Sequence, residues 1–227
     1  MNPGQIVIVN GTSGSGKSTT CETFQREADG YWMLHGIDHF IAGTLPAKYG
    51  HHGPLAHEGI EAVPVDPADP DGPLKWRFHE HGIRAFAAFH EWIAAASRTG
   101  NNIILDHLLM SGTPVLADLA RRLEGLPVLL VTLKPPVEVL ESRVAERKMD
   151  KKLPVDILGE DAVRKIVDRL NRLRGWFTES VYANPYADLV VDTAIHGPET
   201  VTRMIRDRLA QGPGTALEEL RRSLSRS

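Results

Sequence analysis

The stretch that decides the fold is an apolar run followed by a glycine-rich loop, Ile6-Val7-Ile8-Val9-Asn10-Gly11-Thr12-Ser13-Gly14-Ser15-Gly16-Lys17-Ser18. The apolar run is continuous rather than alternating, which is typical of a strand covered on both faces. The loop fits the pattern G-x-x-x-x-G-K-[S/T] at every fixed position. Because a helical pattern follows, the stretch predicts a strand, a phosphate-binding loop and a helix, rather than a flexible Gly/Ser turn.

The predicted loop provides a complete set of groups for binding a nucleotide. Its backbone N–H groups and the helix dipole favour phosphate oxygens. Lys17 is expected to reach the β- and γ-phosphates, and Ser18 to bind Mg²⁺ through its hydroxyl. The predicted cofactors are therefore ATP and Mg²⁺. The predicted binding residues are Gly11, Thr12, Ser13, Gly14, Ser15, Gly16, Lys17, Ser18 and Thr19.

Apolar runs of strand length alternate with helical patterns along the rest of the chain. This alternation predicts a three-layer α/β P-loop NTPase fold, nucleotide-kinase-like, with a five-stranded parallel sheet. The kinase domain is expected over 1–211. A tail helix is expected within 212–227, packed on the core or on another subunit, so a homo-oligomer is an open alternative. The predicted strands are 5–9, 31–37, 102–106, 127–133 and 188–192, and the main predicted helices are 17–28, 76–98, 136–148, 161–182 and 199–210.

Two segments lie where a kinase of this type builds its substrate sites. The segment 44–75 has six prolines and no clear periodicity, which indicates either an acceptor-binding insertion or a disordered surface loop. The segment 143–159 is basic and is expected to form a lid over the nucleotide. Arg143 and Arg147 are four residues apart and share a helix face, so they are the candidates to stabilise the transferring phosphoryl group. A solvated face paired with glutamates is the alternative.

Aspartates end two of the predicted strands. Asp38 follows Gly36-Ile37 at the end of strand two, where ligands bind in open α/β sheets. If strand two lies near strand one, Asp38 faces the γ-phosphate and can accept a proton from an attacking hydroxyl. Asp106 ends an apolar strand and is a candidate to hold Mg²⁺ together with Ser18, or to bind the acceptor. The alternative for either residue is a structural cap.

The composition narrows the choice of partner and compartment. With 26 Lys and Arg against 29 Asp and Glu, the net charge is −3, so no nucleic-acid partner is expected. No apolar run approaches the roughly 20 residues that a membrane helix needs. Cys21 is the only cysteine, which excludes an intrachain disulfide. We expect a cytoplasmic protein whose partner is a small molecule with a hydroxyl group.

Several of these motifs, taken in order, resemble the chloramphenicol phosphotransferase family over about 5–209. They are the loop after Ile8-Val9-Asn10, Gly36-Ile37-Asp38, Ile103-Ile104-Leu105-Asp106 with Ser111-Gly112, the run 143–147, and Ala187-Asp188-Leu189-Val190-Val191-Asp192-Thr193. The resemblance implies a P-loop kinase fold, transfer of the ATP γ-phosphate to a primary hydroxyl of an antibiotic, and Asp38 as catalytic base. The segments 47–74 and 148–159 and the tail differ from the family pattern. A nucleoside or nucleotide kinase and a nucleotide-gated regulatory ATPase are the alternatives.

Overall fold

The computed structural model describes residues 2–146 and 160–226. Five strands form one parallel sheet, and in chain order they are β1 (Ile6–Asn10), β2 (Trp32–Gly36), β5 (Asn102–His107), β6 (Val128–Leu133) and β7 (Leu189–Val191). The pair β3 (Ile60–Pro64) and β4 (Leu74–Phe78) forms a separate two-stranded sheet. In the parallel sheet, β1 lies between β5 and β6, β2 lies at one edge beside β5, and β7 lies at the other edge. The predicted fold class is therefore confirmed.

Helices cover both faces of the parallel sheet. Each position of β1 is buried, and its side chains alternate between two cores, with Ile6 and Ile8 in one and Val7 and Val9 in the other. This two-sided burial explains why the run is apolar without alternation. The helices are α1 (Lys17–Glu27), α2 (Ile37–Thr44), α3 (Glu80–Arg98), α4 (Pro114–Arg122), α5 (Val137–Glu146), α6 (Glu160–Tyr182), α7 (Pro198–Leu209) and α8 (Ala216–Leu224).

The insertion between α2 and α3 differs from the sequence prediction. Instead of an irregular loop, it contains the antiparallel pair β3–β4, in which Ala62 lies opposite Trp76. The helix predicted to begin at Trp76 begins at Glu80. The physical reason is a period-two pattern, in which Lys75 and Arg77 separate larger apolar residues, and this pattern predicts a strand. The surrounding prolines and glycines obscured it.

The tail helix α8 packs on the core of this chain. Ala216, Leu217 and Leu220 are buried in the same cluster as α3 and α4. The carboxylate of Asp188 accepts hydrogen bonds from the N–H groups of Leu130, Thr215 and Ala216, at 2.8, 2.7 and 3.0 Å. One buried side chain therefore joins the start of α8 to the sheet. Across the two described ranges, no helix is both long and apolar enough to cross a membrane.

We expect Leu220→Ala to lower the free energy of unfolding by about 2–4 kcal/mol, because it leaves a cavity under α8. Leu220 is 3% exposed, whereas Leu224 on the same helix is 41% exposed. Leu224→Ala is thus the matched control and should change stability by less than about 0.5 kcal/mol. Urea denaturation measures both changes in the free energy of unfolding, provided that the m-values of the variants equal that of the wild type. Equal losses from the two variants would contradict the packing of α8 on the core.

Candidate active site

The glycine-rich loop has the backbone that phosphate binding requires. Gly14 and Gly16 have φ values of 86° and 93°, in the left-handed region that side chains disfavour, and Gly16 is the N-cap of α1. Nζ of Lys17 lies 3.2 Å from the carbonyl oxygen of Thr12, so the side chain folds back over the loop. The Ser15 hydroxyl is buried and lacks a hydrogen-bond partner within the described part of the chain. The loop therefore has an unused polar group and the local geometry that fit a nucleotide phosphate.

The two residues predicted to hold Mg²⁺ lie together. The Ser18 hydroxyl donates a hydrogen bond to Oδ2 of Asp106 at 3.0 Å. This contact follows from the sheet, because Val9 of β1 lies opposite Asp106 of β5. A carboxylate beside a hydroxyl is a donor set that suits Mg²⁺, so the residues present fit the ion.

Gly36 makes room for this carboxylate. It ends β2 opposite Asp106, and a Cβ at this position would lie 2.7 Å from Oδ1 of Asp106. The backbone at Gly36 is extended (φ −141°), so the requirement for glycine is steric rather than conformational. Glycine here lets β2 and the Asp106 carboxylate occupy the same edge of the sheet.

Asp38 lies at this edge of the sheet, although the strand order differs from the one expected. The sequence interpretation had strand two near strand one, but β5 separates β2 from β1. Asp38 lies in the first turn of α2, two residues after Gly36, and its side chain is exposed. It is thus close along the chain to the strand end that contacts Asp106.

Arg143 contacts the glycine-rich loop. Its guanidinium donates to the carbonyl oxygen of Gly14 at 3.2 Å and to the hydroxyl and carbonyl oxygens of Thr193 at 2.9 and 2.7 Å. The Thr193 hydroxyl in turn donates to the carbonyl oxygen of Ser15 at 2.9 Å. Arg143 and Thr193 therefore hold the loop in place from outside. Arg147 and residues 148–159 of the predicted lid lie outside the described residues.

Two cavities flank the edge formed by the strand ends. The first, here the P-loop cavity, measures about 500 Å³ and lies between α1, α5 and the segment after β7. Its lining includes Gly16, Thr19, Arg143, Thr193 and His196. The second, here the α2 cavity, measures about 420 Å³ and lies between α2, the insertion and α3. Its lining includes Asp38, Ile41, His51, Trp76 and Leu108.

The α2 cavity is mainly apolar but has two unused polar atoms in its walls. Within the described ranges, Nε2 of His51 and Nε1 of Trp76 are buried without a hydrogen-bond partner, and their rings lie 5.3 Å apart. Burial, with smaller contributions from His52 and Arg169, lowers the pKa of His51 to about 3. The imidazole is therefore neutral at physiological pH, and the cavity has no cation contributed by this histidine.

Several residues of this region had no predicted role. Tyr182 at the end of α6 donates to the carbonyl oxygen of Leu133 at 2.9 Å and lies 3.4 Å from the N–H of Thr12. His51 and Trp76 are not among the predicted site residues. Thr193 belonged to a quoted motif without a function. Only Trp76 had a local signal, the alternation within β4, because the other contacts join residues far apart in sequence.

Comparison with solved structures shows that the architecture is that of the P-loop kinases. The APS kinase of Mycobacterium tuberculosis, solved with AMPPNP and APS, has a TM-score of 0.56 at 13% identity, covering 92% of this chain and 99% of that one. A sugar kinase of a Janibacter species has a TM-score of 0.53 at 19% identity, covering 92% and 95%. A protein of Chloroflexus aurantiacus named as a candidate kinase has a TM-score of 0.55 at 14% identity, covering 93% and 99%. At these identities the likeness establishes the fold alone.

The family is established by a direct match. The model of the chloramphenicol phosphotransferase-like proteins matches residues 4–210, so the chain belongs to that family. A search of curated proteins gives no match. Family and fold together support a kinase-type phosphotransferase that uses a nucleotide.

We expect Gly36→Ala to weaken the binding of Mg²⁺ with AMPPNP, because the new methyl group displaces the Asp106 carboxylate from Ser18. Overpacking of this kind should also lower stability by about 1–3 kcal/mol. Calorimetric titration with and without Mg²⁺, together with urea unfolding, measures both effects.

The matched control is Gly43→Ala in α2, where a Cβ meets nothing within 4 Å. This substitution should be neutral or stabilise by up to about 1 kcal/mol, because alanine is the better helix former. If Gly36→Ala and Gly43→Ala bind Mg²⁺ and AMPPNP with equal affinity, the proposed steric requirement for glycine at position 36 is wrong.

Proposed function

We propose that the protein transfers the γ-phosphate of ATP to a hydroxyl group of an uncharged small molecule. The observation that carries this proposal is the position of Asp38, a carboxylate in the wall of an apolar cavity. That cavity lies beside the strand ends that join Ser18 to Asp106. A regulatory ATPase has no need for an acidic group in the wall of an apolar cavity of this size.

The nucleotide is bound by residues 11–19 in this proposal. Backbone N–H groups of the loop contact the phosphate oxygens, and Lys17 neutralises the β- and γ-phosphates. Ser18 and Asp106 hold Mg²⁺, which when bound neutralises the charge that develops on the phosphates. The P-loop cavity has room for the nucleoside part, with Arg143 and Thr193 in its wall.

Asp38 acts as the general base on the acceptor. Its carboxylate takes the proton of the acceptor hydroxyl while the hydroxyl oxygen forms a bond to the γ-phosphorus. The bond between that phosphorus and the oxygen bridging to the β-phosphate breaks, and ADP leaves with the electron pair. Arg143 keeps the loop in place, and together with Arg147 it stabilises the transferring group.

The α2 cavity favours an acceptor without negative charge. Among the described residues that line it, the only charged side chain is Asp38, and most of the others are aliphatic or aromatic. An anionic acceptor would lose its hydration, meet a carboxylate, and find no compensating cation among these lining residues. A nucleotide acceptor is thus disfavoured, whereas a neutral nucleoside or an antibiotic alcohol fits. Chloramphenicol, which the family description names, is the first acceptor to test.

The proposal is tested by measuring ATP consumption with a panel of acceptors, using mass spectrometry to detect one added phosphate. We expect turnover with neutral hydroxylated compounds that have an apolar or aromatic body, chloramphenicol and nucleosides included. We expect none with nucleoside monophosphates or hydroxy acids of similar size, because the described residues that line the cavity include no lysine or arginine. Preference for an anionic acceptor would contradict the argument from the lining.

We expect Asp38→Asn to lower kcat by about 10²- to 10⁴-fold, because it removes the proton acceptor while keeping the shape of the side chain. The dissociation constant for ATP should remain unchanged, since Asp38 lines the other cavity. Asp207→Asn, an exposed position on α7, is the control and should keep full turnover. Steady-state kinetics and calorimetry measure these effects, and full turnover by Asp38→Asn would reject the base assignment.

A further inference from the structure

Two wholly buried histidines touch each other beneath the proposed site. His90 of α3 and His107 at the end of β5 are both 0% exposed. Their Nε2 atoms lie 3.1 Å apart, and Nδ1 of His90 lies 2.8 Å from Oδ2 of Asp118. At the other end, the N–H of Leu108 donates to Nδ1 of His107 at 2.8 Å. These contacts form one continuous series, here called the histidine chain, from Leu108 through His107 and His90 to Asp118.

The contact from the Leu108 N–H to Nδ1 of His107 selects one placement of the hydrogens along the series. Nδ1 of His107 accepts from a backbone N–H, so the ring hydrogen of His107 is on Nε2. That Nε2–H must then donate to Nε2 of His90, which places the ring hydrogen of His90 on Nδ1. The His90 Nδ1–H donates to the Asp118 carboxylate. Each histidine is neutral, and each tautomer is fixed by its neighbour.

At the acidic end of the histidine chain, two arginines bind the Asp118 carboxylate. Oδ1 of Asp118 accepts from Arg121 at 2.7 Å and from Nε of Arg122 at 2.9 Å, and Arg122 also contacts Glu91 at 2.8 Å. Burial raises the pKa of Asp118, but the hydrogen bonds from His90 and Arg122 outweigh it and lower the pKa to about 2. Burial lowers the pKa of both His90 and His107. The carboxylate is therefore ionised, and it can only accept the His90 hydrogen.

The other end of the histidine chain lies between the two proposed substrates. Asp106 precedes His107 and accepts the Ser18 hydroxyl, while Leu108 follows His107 and lines the α2 cavity. The next N–H, that of Leu109, donates to the Asn10 side chain at 2.9 Å. Residues 106–109 thus connect the metal side of the site to the acceptor side, and His107 is the buried link in the middle.

We propose that His90 and Asp118 are positioning residues for phosphoryl transfer, which hold His107 in its Nε2–H tautomer and thereby fix residues 106–108 between the two substrates. This inference rests on the proposed function for its catalytic consequence, but its geometry does not depend on it. In the other tautomer of His107, an N–H would face the Leu108 N–H at 2.8 Å. The repulsion would move the strand end that carries both Asp106 and Leu108.

The tautomers are tested first, on the wild-type protein without any ligand. Nitrogen-15 NMR of histidine-labelled protein at neutral pH should give a protonated Nε2 with a bare Nδ1 for His107. It should give the opposite pattern for His90. Two Nε2–H tautomers, or a cationic ring at either residue, would overturn the proposal.

The positioning role is tested with His90→Leu and His90→Gln. Leucine cannot accept from His107, so amide exchange at Leu108 should accelerate, and kcat should fall by about 10- to 100-fold, because small displacements of reacting groups are this costly. Binding of Mg²⁺-AMPPNP should weaken as well, because the displaced strand end also carries Asp106. Glutamine has an oxygen that can accept from His107, so His90→Gln should restore slow exchange and most of kcat.

Ile93→Ala separates positioning from simple loss of packing. Ile93 is a buried residue of the same helix that has no part in the histidine chain. The Ile93→Ala variant should have a lower free energy of unfolding, yet keep the wild-type kcat and the slow amide exchange at Leu108. The proposal fails if His90→Leu keeps the wild-type kcat, or if Ile93→Ala loses as much as His90→Leu does.

A failure of the proposed function would look different. If the wild-type protein phosphorylates no acceptor in the panel, the basal hydrolysis of Mg²⁺-ATP replaces kcat as the readout. His90→Leu should still lower basal hydrolysis, and Leu108 exchange should still accelerate. Unchanged values of both in His90→Leu would overturn the inference, whatever the outcome with acceptors.

Discussion

The pairing of β1 with β5 and with β6 is the constraint on which the rest of the structure depends. A strand buried on both faces has no water for its backbone groups, so its N–H and C=O groups must bond to both neighbours. The resulting register sets Val9 opposite Asp106 and Asn10 opposite His107. Because the glycine-rich loop follows Asn10 directly, the register alone brings Ser18 to the Asp106 carboxylate.

Sequence was a good guide wherever structure is decided within about a dozen neighbouring residues. The strand, the glycine-rich loop and α1 were predicted together, since each is specified by local periodicity and by glycines that tolerate positive φ. Asp38 and Asp106 come at the ends of predicted strands and stay candidate site residues, because the carboxyl edge of a parallel sheet is where ligands bind. The family match agrees with the resemblance carried by these local motifs.

Sequence was a poor guide to contacts between distant segments. The order of strands is set by which faces and edges can be buried together, so the position of β5 between β1 and β2 has no local signal. The same holds for Thr193, which contacts Ser15 across most of the chain length. In the insertion, the short alternation around Trp76 was outweighed by prolines and glycines, and the pair β3–β4 was therefore missed.

The same difference between local and distant contacts explains why short motifs inform on the reaction and say little about its acceptor. Most of the groups proposed to bind and transfer phosphate lie in the glycine-rich loop, on α1 and just after strand ends, where short motifs predict them. The α2 cavity, by contrast, is walled by α2, the insertion and α3, whose side chains meet only in the folded chain. A motif resemblance therefore informs on phosphoryl transfer and says little about the acceptor. The charge and polarity of the described cavity wall support the proposal of an uncharged acceptor more directly, because apolar side chains and the Asp38 carboxylate cannot replace the hydration of an anion.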